Sequence, residues 1–227
     1  MATAFVIGAS RGIGAATAQL FRSHGYQVAG THRGSGVPEG VLAIEADVTD
    51  DDSLKAAFAE AAAVLGQIDT LVIAAGIVRD KAFLRMRRSD LSEVIEANAI
   101  GAMMATNLGV RSMLKHRSGS IVLLSSVSIR YGIPGQTNYA ASKGAIEAFA
   151  RALAKEHAQH GIRVNVVAPG ATDTDMMASM PEAERAAMTA QIPMGRLGRP
   201  EEVAGVIVAI SEATYVTGAV VPVAGGL

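Results

Sequence analysis

A chain of 227 residues, half of them hydrophobic, can bury a sizeable core, and its length suits one large α/β domain spanning residues 1–227. Its 20 basic and 21 acidic residues leave a formal net charge of -1, so no global field is directed at nucleic acid or a membrane surface. The absence of cysteine excludes disulfides, thiolate metal sites and cysteine nucleophiles, and fits a reducing compartment.

The opening MATAFVIGAS is apolar but short, has no basic leader and runs into a glycine turn, so it reads as a first strand over residues 4–7 and not as a signal peptide. A cytoplasmic location is the expectation. Gly8-Ala9-Ser10-Arg11-Gly12-Ile13-Gly14 follows at once and opens a helix over 13–24, where backbone N–H groups and the helix dipole can hold a pyrophosphate. Its G-x-x-x-G-x-G spacing departs from G-x-G-x-x-G, and glycine also serves turns for purely conformational reasons.

A second strand over 27–31 ends in Thr31-His32-Arg33. A site built for a ribose 2'-hydroxyl places an acid about 20 residues past the glycines, whereas a 2'-phosphate calls for arginine. No acid occurs from Ala15 to Pro38, and Arg11 and Arg33 can converge on a phosphate, which favours NADPH. The glycine-rich stretch 32–40, with Pro38, is too short for a crossover helix and reads as a loop. After a third strand over 41–45, Asp47 either accepts from an adenine amino group or begins the acidic run in which Asp50 caps a helix over 52–65.

A fourth strand over 70–74 delivers Ala74-Ala75-Gly76 to the same end of the sheet. The long helix predicted over 89–115 contains Asn98, for which a kink that binds a relay water is one explanation and simple exposure the other. The fifth strand, 120–125, leads into Ser126, and a helix over 139–160, capped by Asn138, carries Tyr139 and Lys143 one turn apart on one face. An ammonium beside a phenol favours phenolate, and a nearby hydroxyl can hold a carbonyl for proton transfer. On the same helix His157 and His160 read as solvated, and no metal site is assigned. A sixth strand over 163–167 precedes Pro169-Gly170 and a loop and short helix holding Met176, Met177, Met180, Met188 and Met194, which suit either a lid over an acyl chain or a subunit contact. A helix over 201–210 and a strand over 219–223 complete a doubly wound parallel α/β sheet of about seven strands with helices on both faces.

The glycine turn, Asp47, Asn98, Ser126, Tyr139-x-x-x-Lys143 and Pro169-Gly170, in this order and spacing, resemble the short-chain dehydrogenase/reductase family along essentially the whole chain. GIVRDKAFLRM, RVNVVAPGATDTDM, IPMGRLGRPEEVA and YVTGAVVPVAGG are most similar to its 3-oxoacyl-[acyl-carrier-protein] reductases, and THRGSG to their mycobacterial branch. The resemblance implies a Rossmann-type fold and reduction of a 3-oxoacyl thioester in fatty-acid or polyketide-type assembly. It implies Tyr139 as general acid, Lys143 holding the nicotinamide ribose and lowering the phenol's pKa, Ser126 orienting the carbonyl and Asn98 anchoring a relay water. Val48, Ala75, Gly76, Pro169, Gly170 and Thr172 would join Gly8, Ser10, Arg11, Gly12, Ile13, Gly14, Arg33 and Asp47 around NADPH.

An acyl carrier protein is the implied partner, steered by Arg79, Lys81, Arg85, Arg87, Arg88, Lys115 and Arg117, with His160, flanked by Lys155 and Arg163, at a second docking position. A homotetramer is implied, packed through the helices at 89–115 and 139–160, whose small residues Ala97, Gly101, Ala102, Ala105, Gly144, Ala145 and Ala148 serve either that contact or the sheet. The chain departs from the family pattern at Ile7, at Ile73 and Ala74 where asparagines are usual, and at Ala224, which points to a reduced cofactor affinity and a specialised role.

Overall fold

The computed structural model describes residues 1–178 and 180–227, the side chain of Met176 apart. In chain order the elements are β1 (Thr3–Ile7), α1 (Gly12–Ser23), β2 (Gln27–His32), β3 (Leu42–Glu45), α2 (Asp51–Leu65), β4 (Thr70–Ile73), α3 (Arg88–Ile95) and α4 (Gly101–Leu114). They continue with β5 (Gly119–Leu124), α5 (Ser128–Tyr131), α6 (Thr137–His157), β6 (Ile162–Pro169), α7 (Asp175–Ala178), α8 (Glu182–Gln191), α9 (Pro200–Glu212) and β7 (Val220–Val223). All strands pair in parallel in the order β3-β2-β1-β4-β5-β6-β7, a Rossmann-type sheet.

From β1 the chain winds outward to β2 and β3, then returns to lay β4 on the other edge of β1. The connections on the two sides therefore diverge, and a crevice opens beyond the carboxyl ends of β1 and β4. There the Ile7 carbonyl accepts from both Ala74 N and Ala75 N at 2.9 Å.

Alternation along each strand divides the core between the two faces of the sheet. Phe5, Ile7, Leu71, Ile73, Ile121 and Leu123 face α2, α4 and α6, meeting Leu54, Phe58, Ala105, Met113 and Ile146. Val6, Val72, Val122 and Leu124 face the other way, onto Phe21 of α1 and Val203 and Ile207 of α9. Because both faces are covered, the strands read as unbroken apolar runs. Residues 33–41 join β2 to β3 without a helix, as the short glycine-rich stretch predicts.

The helix predicted over 89–115 is interrupted by a π-helical segment at Glu96–Ile100 between α3 and α4. Such a bulge accommodates one extra residue in a turn, and hydrophobic periodicity does not register it. Asp50 caps α2 through its side chain, accepting from Asp52 N and Ser53 N. Asn138 does not cap α6, which begins one residue earlier at Thr137. Instead its buried amide donates to the carbonyls of Arg79 and Asp90, both at 3.1 Å, and stitches the β4–α3 loop to the start of α6. The predicted 139–160 helix ends as α6 at His157, followed by a 3-10 turn at Ala158–His160.

Candidate active site

The glycine turn lies between β1 and α1. Gly8 and Gly12 have φ of 86° and 55°, a backbone region that favours glycine. A Cβ on Gly8 would lie 2.7 Å from Ala75 N, and one on Gly14 would collide with the Gly8 carbonyl, so β1, α1 and the β4 end close tightly at this point. Arg11 is the N-cap of α1 and offers no side-chain cap, and the first turn has no acid. The leading N–H groups of a 12-residue helix thus face the crevice with the positive end of its dipole, beside the partly buried Ser10 and Ile13. Thr31 Oγ1 accepts from Gly8 N at 2.8 Å and fixes the turn, a role that the sequence reading missed.

Arg33 is exposed just past β2, with Nη1 3.6 Å from Asp47 Oδ2. Asp47 also accepts from Thr49 N at 2.9 Å and Thr49 Oγ1 at 2.7 Å. These hydrogen bonds, with help from Arg33, hold its carboxyl below the usual range despite partial burial. Two residues assigned separately to phosphate and adenine are therefore a pair. Val48 follows, packed so closely on the start of α4 that a Cβ on Gly101 would strike its carbonyl.

Beyond the ends of β4 and β5 the reacting groups converge. A Cβ on Gly76 would lie 3.2 Å from Asn98 Oδ1 and 3.6 Å from Lys143 Nζ, which places all three residues at one point of the crevice. Lys143 Nζ sits 5.7 Å from the centroid of the Tyr139 ring and donates to Leu124 O at 2.9 Å. The Ser126 hydroxyl lies beside the Tyr139 phenol, close enough to bear on its ionisation, and its Oγ accepts from Ser128 N at 3.2 Å. Asn98 lies inside the π-helical segment and is 1% exposed. Its Oδ1 accepts from Ile77 N at 2.7 Å, and its Nδ2 donates to Ile77 O at 2.9 Å and Ser142 Oγ at 3.2 Å. Simple exposure is thereby overturned, and the side chain already has its hydrogen-bond partners.

The predicted lowering of the phenol is not what the protein alone provides. Burial pushes Tyr139 up to about 12; the Ser126 hydroxyl works against that shift and the Asp80 carboxylate adds to it. Burial likewise brings Lys143 down to about 8. Desolvation disfavours both charged forms and outweighs any attraction between them. Among the described residues the Lys143 ammonium has only the Leu124 carbonyl as an acceptor. A buried donor group with one acceptor, set beside the glycine turn, fits the hydroxyl-rich ribose of a dinucleotide.

On the far side, Gly170 N donates to Val223 O at 2.9 Å, and a Cβ on Gly170 would come 2.8 Å from Ala224 Cα. Pro169 ends β6 against Val223, and Thr172 is buried, its Oγ1 turned to Gly170 O at 3.1 Å. The family departures are filled by packing: Ile73 joins the core, and Ala74 meets the position where a Gly14 Cβ would stand, at 3.3 Å.

Several expectations outside the crevice need correction. Arg79 grips Glu93 with Nη2 to Oε1 at 2.6 Å, and Lys81 meets Asp90 at 2.7 Å, so neither is an unpaired steering charge. The Arg163 guanidinium is occupied, donating to the carbonyls of Ile210, Ser211 and Ala213 at the end of α9. His157 and His160 are not fully solvated, since their rings pack at 5.8 Å and each Nδ1 is buried. Ala97, Gly101, Ala102 and Ala105 are all buried, Ala102 and Ala105 in the core against the sheet and Gly101 against Val48, whereas no atom of the described residues lies within 4 Å of a Cβ built on Gly144, and Ala148 is exposed. Met177, Met180 and Met188 are half-buried and Met194 is exposed, while the Met176 side chain lies outside the described residues.

A parallel sheet with a dinucleotide crevice, and a tyrosine, lysine and serine at its mouth, define a nicotinamide-dependent oxidoreductase. Residues 8–227 match the family described as Enoyl-(Acyl carrier protein) reductase. The chain is 42% identical over 224 residues to 3-oxoacyl-[acyl-carrier-protein] reductase MabA of Mycobacterium avium, covering 98% of this chain and 88% of that one. It is 43% identical over 235 residues to the FabG reductase of that name from Thermotoga maritima, and 37% over 234 residues to that of Escherichia coli. These alignments cover 98% and 99% of this chain respectively and 96% of each relative. The chain belongs to the short-chain dehydrogenase/reductase family. No helix among the described residues is long and apolar enough to cross a membrane.

Proposed function

We propose that this protein is a cytoplasmic NADPH-dependent ketoreductase that converts a 3-oxoacyl thioester, presented by an acyl carrier protein, to the 3-hydroxyacyl thioester in fatty-acid or polyketide-type assembly. The observation that carries the reading is the approach of Lys143 to Tyr139 and to Gly76, with Ser126 beside the phenol, in the crevice that begins at the glycine turn. The N–H groups of α1 would hold the diphosphate, Arg33 and Arg11 the 2'-phosphate, and Lys143 the ribose next to the nicotinamide. When bound, the reduced nicotinamide supplies the hydride.

Every other part of the chemistry falls to the chain. Ser126 would donate to the substrate carbonyl, and Tyr139, protonated because its pKa is raised to about 12, delivers the proton to the developing alkoxide. A proton lost at the phenol returns from the Lys143 side. Asn98 contributes through the backbone: its side chain is committed to Ile77 and Ser142, and the π-helical segment breaks the regular ladder where a carbonyl could receive a relay water. Helix α8 has no buried residue among those described, which suits a segment that moves over an acyl chain. The outward small residues of α6, with the exposed Ile100 and Leu114 around α4, support a homotetramer as a single-domain subunit.

The test is a kinetic comparison of carrier-bound 3-oxoacyl groups of several lengths with NADPH and NADH. Fast NADPH-dependent turnover of the carrier thioesters is expected. Faster turnover of small free ketones, or reduction of a 2-enoyl thioester in place of the 3-oxo group, would replace this assignment. No loss of nicotinamide absorbance with any of them would leave an idle NADP-binding protein.

A further inference from the structure

Glu147 is a carboxylate 7% exposed on α6, one turn beyond Lys143, and the chemistry above does not use it. Its Oε1 accepts from Ser125 Oγ at 3.1 Å, and its Oε2 lies 3.5 Å from Nη1 of Arg151, whose side chain is half exposed. The carboxylate has one hydroxyl and one loosely held guanidinium as partners, next to the core residues Ile146 and Ala150 on α6, so its place there is defined by polar contacts and not by apolar packing.

Its partner's position shows what those contacts do. Three consecutive residues at the end of β5 each face a different turn of α6. Leu124 O receives Lys143 Nζ, Ser125 Oγ donates to Glu147, and the Ser126 hydroxyl lies beside the Tyr139 phenol. Ser125 Oγ also lies 3.4 Å from the Lys143 carbonyl, and its N donates to Val167 O at 2.9 Å, so this residue binds strand, sheet and helix together. The outer two links are the reacting groups themselves, which must rearrange when substrate and cofactor enter. The middle link is free of that duty and can hold the register of strand end against helix throughout.

We infer that Glu147 is a positioning residue: through Ser125 it fixes the end of β5 on α6 and thereby sets Ser126 and Lys143 relative to Tyr139. The inference rests on the reductase reading. A misplacement of about 1 Å in such a constellation can cost up to roughly 100-fold in rate, and partial relaxation a smaller factor.

The experiment compares the wild type with Glu147→Ala, Glu147→Gln, Ser125→Ala, the Ser125→Ala/Glu147→Ala double variant and Tyr139→Phe. Each is assayed for kcat and KM on a carrier-bound acetoacetyl thioester and on a small free ketone, with NADPH affinity and melting temperature measured in parallel. Glu147→Ala and Ser125→Ala are each expected to lower kcat about 10-fold with NADPH affinity unchanged. The double variant should lose no more than either alone, and Glu147→Gln, which keeps an acceptor for the hydroxyl, should recover most of the loss. Losses that multiply in the double variant, or a lowered melting temperature with kcat intact, overturn the inference. Should Glu147→Ala fail to fold, Ser125→Ala decides: an unchanged kcat there overturns it. A wild type active only on the free ketone removes the carrier substrate but leaves the ranking of variants to be read on that ketone. A wild type inactive on both removes the reductase reading and this inference together.

Discussion

At the scale of single residues, the crevice holds groups whose charged forms burial disfavours, and this sets their testable behaviour. Tyr139→Phe removes the only proposed proton donor and is expected to lower kcat by about 100-fold to 10,000-fold while NADPH still binds, read by turnover against fluorescence titration. Arg33→Ala should weaken NADPH by about 10-fold or more and NADH little, the difference expected for a charge-assisted hydrogen bond to the extra phosphate; equal losses would remove the phosphate clamp. Lys143 makes a prediction about pH. Its pKa falls from 10.5 unfolded to about 8 folded, so between those values the unfolded chain binds more protons and stability from this group rises with pH. Below pH 8 the penalty is complete, on the order of 3 kcal/mol. Lys143→Met should therefore raise the melting temperature at pH 7, with an advantage that shrinks toward pH 10, and a constant advantage would contradict the buried ammonium. Tyr139 and Lys143 were legible because helical spacing alone puts them on one face. Thr31, Asn138 and Glu147 were not, since each acquires its role from partners 23 to 59 residues or 22 residues away in sequence.

Elements were read best where periodicity and caps agree. Asp50 shows this: its side chain accepts two N–H groups at the start of α2, as its place before an acidic, then apolar, run implies. Asp50→Ala should cost about 1 kcal/mol in chemical denaturation with kcat unaffected, since α2 packs on the sheet core and contributes no group to the Tyr139, Lys143 and Ser126 cluster. Asn138 had the same signature and the opposite outcome, because α6 starts before it at Thr137; its Oδ1 accepts only from the adjacent Tyr139 N, and its Nδ2 donates to the carbonyls of Arg79 and Asp90. The π-helical segment at Glu96–Ile100 was invisible to apolar spacing, although the presence of Asn98 within a predicted helix marked the place. Helix α8 escaped detailed placement for a further reason: its inward stripe, Arg185, Met188 and Thr189, is only partly buried and mixes one apolar residue with two polar ones.

For the molecule as a whole, the alternation of apolar runs and amphipathic stretches was sufficient for seven parallel strands and their carboxyl-end crevice, because chirality and crossover rules leave few ways to wind them. Surface electrostatics were less legible, since pairing such as Arg79 with Glu93 depends on how loops fold back. Arg117, with φ of 51° and Nη2 donating to Gln159 O at 2.9 Å, lies beside the turn that holds His160, so the two residues proposed for carrier docking are neighbours. Arg117→Glu is accordingly expected to raise KM for a carrier-bound substrate several-fold, an effect that fades as salt rises, with a carrier-free thioester as the reference.

The return of β4 to the inner edge of β1 also bears on how the chain acquires its shape. Thr3 and Asp69 are joined by reciprocal hydrogen bonds at 2.9 Å, so the first strand meets its inner neighbour only after more than sixty residues have followed it. During synthesis the nascent amino-terminal segment must wait, with one side of a strongly apolar strand uncovered, and closing so long a loop makes assembly slow. Refolding of this enzyme should therefore be limited by recruitment of the centre of the sheet, and holdase chaperones should engage chains released before β4 is complete.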